Sequence, residues 1–195
     1  MTSEAGSRRA TARSVLRAAT ASHHQRVDAT FSAVAFGDAA SYGAFLRAQA
    51  AAHLPVEEAL AEGGIATIVP DWAARRRGGL IADDLAALGL DVPPAAGAIR
   101  FDTAAALLGA LYVLEGSRLG GTLLKRSVAP GLPASFLGGG DSAAWRSLLA
   151  LLDDKLGTAV ARGRAIAAAG AVFALFEAAG RLHLKRPALT VEPTP

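Results

Sequence analysis

The chain has 195 residues, 52% of them hydrophobic, a formal net charge of +3 and no cysteine. That length suits one domain with a substantial core, and that hydrophobic share excludes disorder of the whole chain. The lack of cysteine excludes disulfides, zinc–thiolate sites, iron–sulfur clusters and a thiolate nucleophile. The positive excess is mild and comes almost wholly from arginine. Apart from Arg75-Arg76-Arg77 the charges are scattered and no aromatic residues interleave with them, so no nucleic-acid partner is expected. Met1 to Arg9 is polar and lacks the apolar core of a signal peptide. No run of about 20 apolar residues is free of charge, so no membrane span is expected and a cytoplasmic location is the default.

In chain order, residues 1–9 read as a flexible leader. Apolar and small residues at helical spacing predict a first helix from Ala10 to Val27. Asp38 is placed to cap a second, with Tyr42, Phe45, Leu46, Gln49 and His53 on one stripe. Pro55 should kink or divide that helix, and Gly63-Gly64 should end it. Asp71 is expected to cap a short helix through Arg77 that Gly78-Gly79 interrupts, with helix resuming over Leu80–Leu88 and stopping at Gly89. Asp91 to Gly97 reads as a loop. Asp102 or Thr103 starts a long helix containing several glycines, which ends before Pro130-Gly131. Gly138-Gly139-Gly140 is a break, after which Asp141 or Ser142 caps a helix holding Trp145, Leu148, Leu149 and Leu152. A last helix spans Thr158 to Leu182, and residues 187–195 read as a loose tail. Strand signals are almost absent and no repeat is evident. Residues 10–186 therefore form one expected all-α domain, a multi-helix bundle.

Two segments carry the chemistry. Gly109, Gly116 and Gly120 are spaced by seven and four, which puts them on one helix face, with Gly121 beside it. Each interior glycine costs roughly 0.8–1.0 kcal/mol against alanine, so something must compensate. Close helix packing, or a plain break between two helices, would account for them. So would a ligand lying against a backbone stripped of side chains, over a helix that bends there. The second segment is on the first helix. Arg13, Arg17, Thr20 and His24 follow one another at intervals of four, three and four, hence on one face. Imidazole suits iron, and arginine meets carboxylates with paired hydrogen bonds. His23 points about 100° away, so both histidines cannot serve one metal. A ligand-bearing helix opposite a bare one suggests a slot for a flat molecule, of which iron porphyrin is the obvious candidate.

At these residues the chain resembles the haem oxygenases, particularly the short bacterial type found beside bacteriophytochromes. The resemblance covers about Leu16 to Ala179. Leu16, Thr20, His24 and Asp28 resemble the family's proximal helix, and Tyr112-Val113-Leu114-Glu115-Gly116-Ser117 with Leu119-Gly120-Gly121 looks like its bacterial distal helix. Asp83-Asp84-Leu85, Phe136-Leu137, Trp145, Phe173 and Phe176 are supporting similarities. The resemblance implies haem held between a proximal and a kinked distal helix, with His24 as the iron ligand. Arg17, Thr20, Tyr112, Gly116, Gly120, Gly121 and Phe173 become haem contacts, with Gly116, Ser117 and Gly120 as the residues around the reaction. Ser117 stands where the animal enzymes carry an aspartate. It still exchanges hydrogen bonds with water but brings no charge. Arg162 and Arg164 are the candidates for a propionate partner on the late helix.

The implied reaction opens haem, at once cofactor and substrate, to biliverdin with release of iron and carbon monoxide. It uses O2 and electrons from a separate donor, because the chain lacks a flavin or nicotinamide fingerprint. A ferredoxin-type or flavin reductase suits the mild basic excess, and a bacteriophytochrome is a possible recipient of biliverdin. A haem-binding carrier or sensor without turnover is the alternative. Thiamin-hydrolysing helical proteins of similar architecture depend on a cysteine that is missing here. A helical interaction module would explain the glycines by packing but leaves the arginine–histidine face without a reason.

Overall fold

A computed structural model describes residues 10–184; the expected leader at 1–9 and tail at 187–195 lie outside them. Each long helix starts where a short polar side chain takes up a free amide. Helix α1, Ala12–Phe31, is capped by Thr11, whose hydroxyl accepts from Ser14 N–H at 3.2 Å. The Ala12 amide donates to Asp153, from far along the chain, at 2.6 Å. Helix α2, Ala39–Glu62, is capped by Asp38 and ends at Gly63. The tripeptide turn Ile65–Thr67 and the short helix α3, Trp72–Arg75, lead to α4, Gly78–Ala87. Helix α5, Ala104–Leu124, is capped by Thr103 and followed by a tight turn over Lys125–Ser127. Asp141 caps α6, Ser142–Lys155, and Thr158 caps α7, Ala159–His183. The described residues contain no strand.

Three local expectations fail, each for a tertiary reason. Pro55 does not divide α2. Proline removes the amide that would have reached the Ala51 carbonyl, and Ala96 N–H, from the loop after α4, donates to that carbonyl instead at 2.8 Å. Gly78 and Gly79 do not interrupt a helix but begin α4. The Gly78 amide donates to the Glu57 carboxylate at 3.1 Å, and a Cβ there would sit 2.7 Å from Leu54 and 2.8 Å from Glu57. Glycine lets α4 start there with Leu54 and Glu57 left where they stand. Asp71 makes no side-chain cap to α3; its carboxylate pairs with Arg75 at 2.9 Å.

Helix α7 is the centre of the bundle and packs against α5, α1 and α2. It is long and apolar enough to cross a membrane, yet 56% of its most apolar stretch is buried inside the protein. Its core face carries Ala165, Ala169, Val172 and Phe176, which share one hydrophobic core with Leu16 of α1, Leu108 and Leu111 of α5 and Leu148 and Leu152 of α6; α6 itself packs on α1 and α5. A second cluster joins α2 and α4 through Tyr42, Phe45, Leu46, Ile81 and Leu85 to Phe136 and Leu137. Glycine sets the distances between the long helices. A Cβ on Gly109 would overlap the Ala165 backbone of α7, and one on Gly180 would sit 2.6 Å from Thr30 of α1. Helix α5 runs unbroken through all its glycines, which removes the reading that they separate two shorter helices.

The glycines of α5 thus have different neighbours, and this gives a paired prediction. Gly109→Ala should lose about 1–3 kcal/mol by overpacking. Gly120→Ala should gain up to about 1 kcal/mol in the ligand-free protein from helix propensity, because nothing lies within 4 Å of its added carbon. Urea denaturation of the two variants checks this; equal shifts would contradict the division.

Candidate functional site

Between α1, α5, α6 and α7 lies a cavity of about 590 Å³, bordered also by the Phe136-Leu137 segment. That is the size range of small-molecule sites. Helix α1 presents Arg13, Arg17, Thr20 and His24 to it; α5 presents Tyr112, Gly116, Ser117, Gly120 and Gly121; α7 presents Phe173. All the residues expected as haem contacts or around the reaction, Arg162 and Arg164 apart, therefore border one space. Gly109 does not, and belongs to the α5–α7 contact. Arg162 and Arg164 do not border it either. Arg162 donates to the carbonyls of Leu156 and Gly157, both at 3.1 Å, closing the end of α6, and Arg164 is exposed.

The two histidines separate as their helical phase requires. His24 Nδ1 lies 2.8 Å from the Asp28 carboxylate one turn on. A carboxylate accepts the Nδ1 proton and so leaves the Nε2 lone pair for a metal. His23 does not border the cavity. Its Nδ1 is 2.7 Å from an Arg26 guanidinium nitrogen, its ring stacks on Phe173, and its edge lies beside Gly170 of α7. Phe173 meets His24 edge-on at 5.8 Å between ring centres. No cluster of three or more His, Cys, Asp or Glu side chains that could hold a metal exists among the described residues.

Opposite His24 the wall is backbone. A Cβ on Gly116 would lie 3.8 Å from Trp145 of α6, one on Gly121 would lie 3.6 Å from the Leu137 carbonyl, and one on Gly120 would point into open space. Ser117 Oγ donates to the Leu114 carbonyl at 2.7 Å, and Thr20 Oγ1 donates to the Leu16 carbonyl at 2.8 Å. Each hydroxyl has spent its proton on the helix and faces the cavity as an acceptor. Arg13 and Arg17 are exposed. Burial raises the pKa of the Tyr112 phenol, against the opposing pull of these two cations.

Sequence reasoning missed part of the wall, notably Arg77, Gln49, Phe45 and Trp145. Arg77 is buried, with its guanidinium 4.6 Å from the centre of the Phe136 ring and donating to the Gly138 carbonyl at 3.0 Å. Burial, and then the charge of Arg118, bring its pKa down to about 10. The only sequence signal was its place in the Arg75–Arg77 run. Phe136 itself is fixed by buried Asp84, which accepts from the amides of Ser135 at 3.1 Å and Phe136 at 2.9 Å.

Fold and cavity together define an all-α protein with a slot between its first and fifth helices. No family model matches the chain. A haem oxygenase of Xanthomonas campestris pv. campestris (strain 8004) is 37% identical over 151 residues, covering 71% of this chain and 88% of that protein. The crystal structure of the NO- and CO-bound haem oxygenase of Neisseria meningitidis has a TM-score of 0.78 to this fold. It covers 92% of this chain and 95% of that one at 24% identity. The chain belongs to the haem oxygenase family.

Asp84→Ala strands two amides beside the cavity. It should cost about 2–4 kcal/mol in urea denaturation, the loss of hydrogen bonds to a buried charge. A change below about 0.5 kcal/mol, the usual range for a surface position, would show that Phe136 is held by packing alone.

Proposed function

We infer that the chain opens haem to biliverdin, with release of iron and carbon monoxide, using O2 and electrons from a separate protein. Membership of the haem oxygenase family supports the reaction. The observation that assigns it to this cavity is His24, held by Asp28, across from the side-chain-free surface of Gly116 and Gly120. The donor set fits haem. One imidazole with a free Nε2 would hold the iron, and the glycine wall puts no Cβ in the way of a flat ring. Haem, when bound, supplies both the iron that takes up oxygen and the ring carbon that is oxidised.

His24 would hold the iron through Nε2, while Asp28 fixes the ring tautomer and raises its basicity. Arg13 and Arg17 meet the propionate carboxylates at the exposed side of α1. Gly116, Gly120 and Gly121 leave room above the ring and place no acid there. Ser117 accepts a hydrogen bond from a cavity water and so orders it. Tyr112, Thr20 and Phe173 complete the contact surface. An acidic ferredoxin-type or flavin-containing donor fits the exposed arginines. Within the family, the group found beside bacteriophytochromes, acting in the cytoplasm and handing biliverdin to such a photoreceptor, is supported by Ser117 directly after Gly116.

His24→Ala should lose the iron–histidine vibration of the ferrous protein and most turnover, while His23→Ala keeps both. Equal loss in the two variants would remove His24 from its role. Ser117→Ala should bind hemin as the parent does and slow biliverdin formation by roughly tenfold or less, the worth of one neutral hydrogen bond. Complete loss of turnover with hemin binding intact would mean that the hydroxyl itself transfers a proton.

A further inference from the structure

Glu115 immediately precedes Gly116 and points away from the cavity into the protein, where it is 4% exposed. Its carboxylate lies 2.9 Å from Arg118 Nη1 and 3.6 Å from Arg75 Nη1. Neither guanidinium stops there. Arg118 Nη2 donates to the Gly139 carbonyl at 2.7 Å, and Arg75 Nη1 donates to the Ala144 carbonyl at 3.2 Å. Those two carbonyls belong to the glycine strap 138–140 and to the first turn of α6. Trp145 follows directly. Its ring pairs with Tyr112 at 5.7 Å and faces Gly116, forming one side of the cavity. One buried carboxylate on α5 thus reaches, through two arginines, both ends of the segment that carries Trp145.

We propose that Glu115 is a positioning residue: it latches segment 138–145 to the glycine face of α5 and so sets the distance between Trp145 and Gly116. The other anchors of the strap gather at its ends: Arg77 on the Gly138 carbonyl, the Gly138 amide on the Ser135 carbonyl at 3.1 Å, Lys125 beside Gly138, and Thr122 3.1 Å from a Cβ built on Gly140. Three glycines in sequence give the strap no side chains with which to hold itself. Without the carboxylate, Arg118 loses its ion pair while the charge of Arg77 still bears on it, and burial makes that imbalance costly. A released strap moves Trp145 off the Gly116 side. In the haem reading, on which this second half rests, that opens a path for the flat ligand to leave. A buried ion pair that only adds stability would weaken the whole fold and have no selective effect on this segment.

The test uses Glu115→Gln, which keeps shape and removes charge, and, if that variant fails to fold, Arg118→Gln, which removes the Glu115 and Gly139 contacts of Arg118 and leaves Arg75 beside Glu115. In the ligand-free proteins, amide hydrogen exchange over 138–146 should rise by about tenfold or more while α1 and α7 keep parent protection. In the hemin-loaded proteins, transfer of hemin to excess apomyoglobin should quicken by a similar factor, about tenfold. A uniform rise in exchange across α1, α7 and 138–146 would overturn the latch. A selective rise with hemin release at the parent rate would overturn the assignment of Trp145 as the wall that retains the ligand. If the parent does not take up hemin, the haem reading fails and the exchange arm still decides the latch.

Discussion

The backbone contact between Gly109 of α5 and Ala165 of α7 is the constraint on which the cavity depends. Two helices brought together at their backbones at one point have little freedom in how they sit beyond it. Seven residues on, Gly116 no longer meets α7 but faces Trp145, and at Gly120 no neighbour remains. At the other end of α7, Gly180 lets the side chains of Thr30 and Phe31 of α1 come close to its backbone. Helix α7 is thereby pinned to α5 and α1 at opposite ends, and the slot lies between the stretches that are not pinned. Small residues are used twice in α5, first to bring helices together and then to keep a surface clear.

Electrostatics divide the molecule along the same line. The exposed arginines of α1 line the cavity, whereas Arg75, Glu57, Asp84 and Glu115 are buried behind it, and buried Arg77 stands at the boundary as part of the wall. Burial pushes the Glu57 carboxyl up, but hydrogen bonds from His53, Arg77 and Gly78 outweigh it and hold the pKa below the ordinary value. A carboxylate so held stabilises the fold above its unfolded pKa, and that contribution fades as pH falls through the lower folded value. The buried ions thus organise backbone: Glu57 seats the start of α4, Asp84 the Phe136 segment, and Glu115, through its arginines, the strap before α6.

What could be read from the sequence follows the reach of each interaction. The caps at Asp38, Thr103, Asp141 and Thr158 bond to amides two or three residues away and were placed from the sequence, within one residue for the last three helices. The α1 face from Arg13 to His24 and the α5 face from Gly116 to Gly120 follow from helical phase alone, and they meet across one cavity. What escaped is set by partners distant in the chain. Pro55 is tolerated because Ala96 supplies the missing amide, and Gly78 begins a helix because Glu57 receives its N–H. In the run Arg75-Arg76-Arg77, Arg75 reaches Glu115 and Ala144 and Arg77 reaches Gly138, while Arg76 stays largely exposed near Glu57. Periodicity contains none of this. Nor could it tell Gly109 from Gly116, since both stand on one face and differ only in what lies opposite.

The central claim is that one imidazole and a bare helix face suffice to turn a helical slot into a site where haem is oxidised. Purified protein is mixed with hemin, given a ferredoxin-based electron supply in air, and followed by absorption spectroscopy with carbon monoxide captured in parallel. The account predicts that the Soret band of the bound hemin decays as the broad red absorption of biliverdin rises, with one carbon monoxide per haem consumed, a ratio set by the loss of one ring carbon. Stable bound haem with no carbon monoxide under sustained reduction would contradict it and leave a haem carrier in its place.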